Sequence, residues 1–337
     1  MGNVYTKSGA LAQRIYFGSV LIWEKLVGSE FIIEVDTTKA GTSNNDQFQF
    51  TGAQGDYNVV AKQGGVVIET FNDLSDEATI TLPSSGVYVL EVSAKEIDGF
   101  TGMSFNNAGD KLKLSKINQW GIFNDARSRL FFNCNNLTEI ASDNDWLNSI
   151  TNGSANFAGC NLTFLPETLT LQNLVDGSSM FNGCNISELP SGMVLNNLQT
   201  GDFMFLLNSL TSLNNVVTLE NVVDAISMFR GNSLTSLPNS MTLNNLENGN
   251  SLFNGNFLGD LPIAITFPNL DNGTNIFNGS KINTPRYSTL LIDMKDGNNN
   301  TNVPFHGGYS KYNTNGETER NLLIANQNWS FIDGGLA

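Results

Sequence analysis

A chain of 337 residues is long enough for two or three domains, or for one domain followed by a repeat array. Only 15 % of it is charged, against about a quarter in soluble domains, yet 40 % is hydrophobic and 22 residues are Phe, which excludes a disordered chain. A formal charge of −15 without any Lys/Arg-rich run disfavours nucleic acid and anionic membrane as partners, and no apolar run approaches the ~20 residues of a membrane-inserted helix.

The first thirty residues lack both an uninterrupted apolar core and a charged leader, which predicts no secretory signal. Within residues 1–29, the stretch RIYFGSVLIWEK at 14–25 predicts a tight hairpin of two short strands around Gly18-Ser19. Its Ile-Tyr-Phe-Gly-x-x-x-Ile-Trp pattern resembles N-terminal segments of phage tail and fibre proteins. That resemblance implies an attachment hairpin in which Ile15, Tyr16, Phe17, Ile22 and Trp23 hold the chain to a particle. Residues 30–100 follow as short alternating runs (FIIEVDTT, DYNVVAKQ, GVVIETF, VYVLEVSA) broken by Gly, Asn, Asp and Ser. They predict an antiparallel, β-sandwich-like domain.

Residues 101–287 are dominated by a repeat. GDKLKLSKINQWGIF reads as an opening coil, and an imperfect coil starts near Leu130. From Leu162 the blocks recur with a constant period, opening at Leu162, Ile186, Leu210, Leu234 and Leu258 without insertion or deletion. That column ends at Ile282, and a second holds Phe157, Phe181, Phe205, Phe229, Phe253 and Phe277. A single such block cannot fold alone, whereas stacked blocks bury a continuous core. The Leu-x-x-Leu segment (Leu162, Leu165) is the expected pairing strand, ended by Pro166, Pro190, Pro238 and Pro262, which have no N–H to donate. Gly153, Gly177, Gly201, Gly249 and Gly273 share a column with Ala225, so this position needs φ > 0 or a close backbone approach.

These blocks resemble the BspA-like, bacterial-surface type of leucine-rich repeat, marked by L-x-x-L-P and by the Met-Phe-x-x-Cys-Asn segment of Met180, Phe181, Cys184 and Asn185. The flanks around residues 108–121 and 307–335 resemble those of the same proteins, so the likeness spans roughly residues 100–335. It implies a mainly β chain: an N-terminal antiparallel β-domain, then a leucine-rich-repeat solenoid, then a small α/β C-terminal cap over residues 288–337. In that cap, residues 317–326 predict an amphipathic helix with Leu322 and Leu323 inward, and NWSFIDGG a last strand and turn.

Chemistry-bearing residues are sparse. His306 is the sole His and stands in a Gly-rich turn without an acidic neighbour in sequence, which reads as a packing residue rather than a general base. Equal columns of adjacent coils lie close, so a glycosidase-type carboxylate pair is sought within one column of successive blocks, pairs across columns being left open by the sequence. Glu188 and Asp260 are three blocks apart and Asp176 and Asp224 two, so no catalytic residue is assigned. Cys160 and Cys184 begin a column continued by Asn208, Asn232, Asn256 and Ser280, which predicts buried thiols in a ladder that satisfies backbone groups. The Asn/Asp turn at Asp296, Asn298 and Asn300 lacks the bidentate Glu of a calcium loop. No metal and no cofactor is expected.

A binding face is best sought beside the Leu-x-x-Leu segment, at Thr163, Phe164, Ser187, Glu188, Thr211, Ser212, Thr235, Ser236 and Asp260, with Gly259 beside the last. Except for Phe164 these lack the large anchors of protein hot spots. The expected function is a structural, adhesive phage virion protein (tail, fibre or head decoration) at the virion surface. Its expected partners are other virion proteins through the N-terminus and a host-surface protein or glycan. The resemblance adds a homotrimer. A bacterial cell-surface adhesin stands second, and a polysaccharide-cleaving tail enzyme third.

Overall fold

The computed structural model describes residues 29–96, 99–214 and 217–337, together with the backbone pairing of three strands ahead of them. The chain divides into two compact units, Met1–Trp146 and Leu147–Ala337. Over the described residues strands outnumber helices, so the protein is mainly β.

In the first unit, β1 (Val4–Tyr5), β2 (Leu11–Phe17) and β3 (Val20–Val27) form a small antiparallel sheet. Phe17 pairs with Val20, which is the strand pairing expected of the hairpin. Gly18 and Ser19, and the side chains of Ile15, Tyr16, Phe17, Ile22 and Trp23, lie outside the described residues.

A five-stranded antiparallel sheet follows, built from β4 (Phe31–Asp36), β6 (Asp56–Gln63), β7 (Val66–Ser75), β9 (Val87–Ala94) and β10 (Leu114–Gln119) in the order β10-β4-β9-β6-β7. A separate two-stranded ladder joins β5 (Gln47–Gln49) to β8 (Thr79–Thr81). Alternation drives burial: Phe31, Ile33 and Val35 of β4 are enclosed while their neighbours are half-exposed. Phe31 packs on Phe123, Phe100 and Trp120 at ring distances of 4.8, 5.8 and 6.2 Å. Strand β10 has two roles. It pairs antiparallel with β4, and its Lys116 bridges in parallel to Glu139, the first pairing across one coil. The short helix α1 (Asp145–Ser149) comes next in the chain.

In the second unit each block pairs with the next. Parallel bridges run Asn152–Asp176–Thr200–Asp224–Asn248–Asn272, every partner standing one full block further along the chain. This corrects the expectation that Leu-x-x-Leu is the pairing strand. The ladder lies well past that segment, where the N–H groups of Gly177, Ser179, Phe181 and Gly183 donate to the carbonyls of Thr200, Asp202, Met204 and Leu206 at 2.9, 2.7, 3.0 and 2.8 Å. The N–H groups between them turn back on their own block, as in Met180 to Gly177 at 2.9 Å and Asn182 to Ser179 at 3.1 Å. At the Leu-x-x-Leu segment the Ile186 and Leu210 N–H groups are instead taken by the side chains of Asn208 and Asn232, so no regular ladder forms there.

This alternation requires left-handed backbone twice per block. Ala155, Ser179, Phe203, Ser227, Ser251 and Asn275 occupy one such column with φ between 53° and 61°. Four positions on, the column is Gly at 159, 183, 231, 255 and 279, with Leu207 the exception at φ 53°. The Gly153, Gly177 and Gly201 column is different: its φ is ordinary and the constraint is space. A Cβ there would lie 2.6–2.8 Å from the sulfur of Met180, Met204 or Met228 in the next block. At Ala225, the exception in this column, the equivalent position of the next block holds Leu252 in place of Met.

Six Phe rings stack through the interior, with centroids 5.6–5.8 Å apart and planes within 15° of parallel. Beside them runs the expected polar ladder. Asn208 Nδ2 donates to Phe181 O at 2.8 Å while its Oδ1 accepts from Ile186 N–H at 2.8 Å. Asn232 and Asn256 repeat both bonds; the Ser280 hydroxyl accepts the Leu258 N–H at 3.1 Å but donates to the Asn256 carbonyl at 3.3 Å rather than to a Phe carbonyl. Cys184 keeps the donor role, with Sγ 3.0 Å from Phe157 O. A second Asn ladder went unread in the sequence: Asn173, Asn197, Asn221, Asn245 and Asn269 each donate to a carbonyl 25 residues back.

The repeat is closed by α2 (Thr284–Gly297), which starts at an Asn283 cap with Pro285 in its first turn. Arg286, nearly enclosed, donates to the carbonyls of Leu261, Pro262 and Ile265 at 3.2, 3.0 and 2.6 Å. Strand β11 (Pro304–His306), helix α3 (Thr314–Gln327) and strand β12 (Ser330–Ile332) complete the unit, β11 and β12 pairing in parallel. Helix α3 buries Leu323 as expected; Leu322 is corrected to exposed, because the apolar stripe of this helix is one residue wide. Among the described residues no helix is long and apolar enough to cross a membrane.

Candidate functional site

The strip beside the Leu-x-x-Leu segment is shaped by burial on either side. Leu162 and Leu165, with their equivalents in later blocks, are enclosed, and the two residues between them point outward. Thr163, Ser187, Thr211, Thr235 and Gly259 form one exposed column; Phe164, Glu188, Ser212, Ser236 and Asp260 form the next. Backbone contacts register neighbouring blocks here, with Ser187 N–H to Thr163 O at 3.2 Å and Gly259 N–H to Thr235 O at 3.3 Å. Phe164 is 54 % exposed, the one large apolar side chain of the strip. Asp260 is partly engaged, its Oδ1 accepting from Leu261 N–H at 2.8 Å. The strip therefore offers hydroxyls, two carboxylates and one aromatic ring on a fixed spacing.

Carboxylates do approach one another, but across columns. Asp202 lies among Asp176 and Asp224, slightly more than a block after the first and slightly less than a block before the second. Burial pushes its carboxyl above the ordinary carboxylate range, the Ile226 N–H at 2.7 Å pulls it down, and the charges of Asp224 and Asp176 push it up again. A search restricted to equal columns misses this, because neighbouring columns of adjacent blocks meet as closely. The effect of the arrangement is to raise one acid's proton affinity.

His306 gains the acidic neighbour that it lacks in sequence. Burial lowers its affinity for a proton, while a hydrogen bond with its own backbone and the charge of Asp333 act the other way. Its Nδ1 accepts the Gly308 N–H at 3.1 Å. Asp333 is itself held by Arg320 Nε at 2.9 Å and Tyr287 Oη at 3.2 Å, which makes this cluster a brace of the last turn. Cys134, Cys160 and Cys184 are buried thiols. Among the described residues no group of three or more His, Cys, Asp or Glu side chains is placed to hold a metal ion.

Among the described residues of the repeated blocks, Phe203, Leu207, Phe257 and Ile263 are exposed apolar side chains beyond Phe164 that the sequence reading does not single out. Each interrupts a column of small or polar residues, which is the signal that could have found them. Comparison of the chain with family models, with curated proteins and with solved structures found no match.

Proposed function

We propose that the repeated blocks form a leucine-rich-repeat solenoid of the BspA-like kind, and that the chain is an adhesive structural protein of a phage particle rather than an enzyme. The N-terminal hairpin attaches it, as a homotrimer, to other virion proteins in a tail, fibre or head decoration. The solenoid presents the outward strip from Thr163 to Asp260 to a host-surface protein or glycan. The observation that carries this reading is the contrast within each block: the enclosed columns repeat, while the exposed pair between them changes from Thr-Phe to Ser-Glu to Thr-Ser to Gly-Asp. A constant core beneath a variable, spaced surface is what recognition by a repeat array requires.

Mass spectrometry of purified phage particles, beside the host's outer-membrane fraction, tests the assignment. Stoichiometric peptides of this chain in the particles support the virion role. Peptides confined to the membrane fraction overturn it in favour of a bacterial cell-surface adhesin. The strip is tested by adsorption of particles carrying Phe164→Ala with Glu188→Ala: unchanged adsorption moves the contact elsewhere on the protein.

A further inference from the structure

The most enclosed charge among the described residues of the first unit belongs to no site described so far. Lys113 and Asp110 both have side chains at 0 % exposure, with Nζ and Oδ2 3.4 Å apart. Burying two charges is costly unless geometry and hydrogen bonds compensate. Here the compensation comes from one loop. Lys113 Nζ donates to Ser43 Oγ at 2.7 Å, to the carbonyls of Asn44 and Gln47 at 2.9 Å each, and lies 3.1 Å from Ser43 O. Asp110 accepts the N–H groups of Ser43 and Gln49 at 3.0 and 2.8 Å, together with the Ser43 hydroxyl. The same carboxylate is kept ionised: burial acts to raise its proton affinity, but the Ser43 and Gln49 bonds and the Lys113 charge outweigh it.

Five oxygens, one of them anionic, thus surround a single nitrogen that has three protons to donate. Such an oxygen-rich shell is typical of a bound cation, and it is completed by backbone rather than by side chains with other uses. Gly41 belongs to the cage as well, since a Cβ there would lie 2.2 Å from Asp110 Oδ1 and 2.9 Å from Lys113 Cε. The loop that makes the cage is otherwise outside the core: Thr38, Lys39, Ala40, Thr42, Asn44 and Asn45 are exposed.

We propose that residues 41–49 and Asp110 form a binding site for a primary ammonium ion, filled in this chain by the tethered side chain of Lys113 and responsible for the shape of the exposed loop. The site selects N–H donors over bare charge, because three of its oxygens are carbonyls whose bonds need protons aimed at them. Emptying it by Lys113→Ala removes the atoms of propylammonium and leaves a buried carboxylate with its partner gone.

The test is chemical rescue of the full chain. Thermal unfolding of Lys113→Ala is followed in equal concentrations of propylammonium, tetramethylammonium and sodium chloride, with propanol as the uncharged control. The expected result is a fall of about 10 °C in Tm, as for a broken buried ion pair, of which at least half returns with propylammonium alone. Equal behaviour in all four solutions overturns the proposal. The wild-type chain supplies a second reading that does not depend on a variant folding. The Lys113 ammonium protons should give a resolved, slowly exchanging NMR correlation at neutral pH, and rapid exchange with water, as at a surface lysine, overturns it.

Discussion

Asn208 shows how much one side chain carries in a stacked chain. Its amide closes two backbone groups that nothing else reaches, the Phe181 carbonyl and the Ile186 N–H. Asn208→Ala should destabilise the protein by about 3 kcal/mol, the cost of leaving both buried groups unmade. Asn208→Ser should cost less, since the Ser280 hydroxyl already accepts the equivalent N–H, from Leu258, while donating to a different carbonyl, that of Asn256; equal losses in denaturant melts would contradict the ladder. Asp202 acts in the opposite sense. A carboxyl whose affinity for protons is raised on folding contributes stability that is fully present below its unfolded value, the ordinary 3.8, and is lost as pH rises through the folded value. Asp202→Asn should therefore raise Tm at pH 7, with the gain shrinking in acid and in high salt. The cysteine–asparagine ladder was legible in the sequence because it repeats at a fixed offset from the Phe column. The Asp202 cluster was not, because it arises between columns, and spacing along the chain does not state which columns touch.

Elements report what side-chain patterns leave unsaid. Leu-x-x-Leu looks like a strand by alternation, yet its first N–H is diverted to an Asn side chain, and the ladder forms where Ser, Phe and Asn adopt left-handed backbone. Non-glycine residues in that conformation carry a cost of about 1–2 kcal/mol each when isolated. No sequence pattern announces them, because neighbouring blocks impose the conformation. Helix α2 was equally hidden, although Asn283 and Pro285 form an ordinary start signal, because the apolar columns run on through Ile282 into its cap. Arg286 in this helix seals three carbonyls that a further block would otherwise meet. Arg286→Met keeps the reach and removes the donors. A loss of about 3 kcal/mol is expected, and the melt should show the second unit unfolding first; an unaltered melt would mean that solvent satisfies those carbonyls equally well.

The scale of the whole molecule makes the period itself testable. If each block depends only on its neighbours, removing residues 210–233 joins Ser209 to Leu234 with every column in register. That shortened chain should fold and unfold cooperatively, whereas removal of residues 210–217 moves Phe229 and Phe253 onto the column of Asn221 and Asn245 and should not yield a folded protein; circular dichroism separates the outcomes. Thiol chemistry gives a second global measure. Burial pushes the Cys184 thiol up to about 12 and raises Cys134 as well, so neither supplies thiolate to a reagent in the native state. Ellman's reagent should be consumed slowly by native protein and by all three thiols in concentrated guanidinium chloride. Rapid native reaction at either residue would place it nearer the surface. The repeat array was the most legible part of the chain, since its apolar columns share one period. The first unit was legible only as alternating strands, because the pairing of β10 with β4 joins segments far apart in the chain, such as Ile117 with Ile33.

The pairing of every block with its successor also has a mechanical meaning. Tension applied to the two ends of such a stack does not shear all its rungs together; it peels them singly, from whichever end is looser. Each released rung pays out one block of slack, which at full extension is roughly 80 Å of chain. The protein would thus lengthen under load in equal increments at nearly constant force, and shorten again by re-stacking when the load is removed.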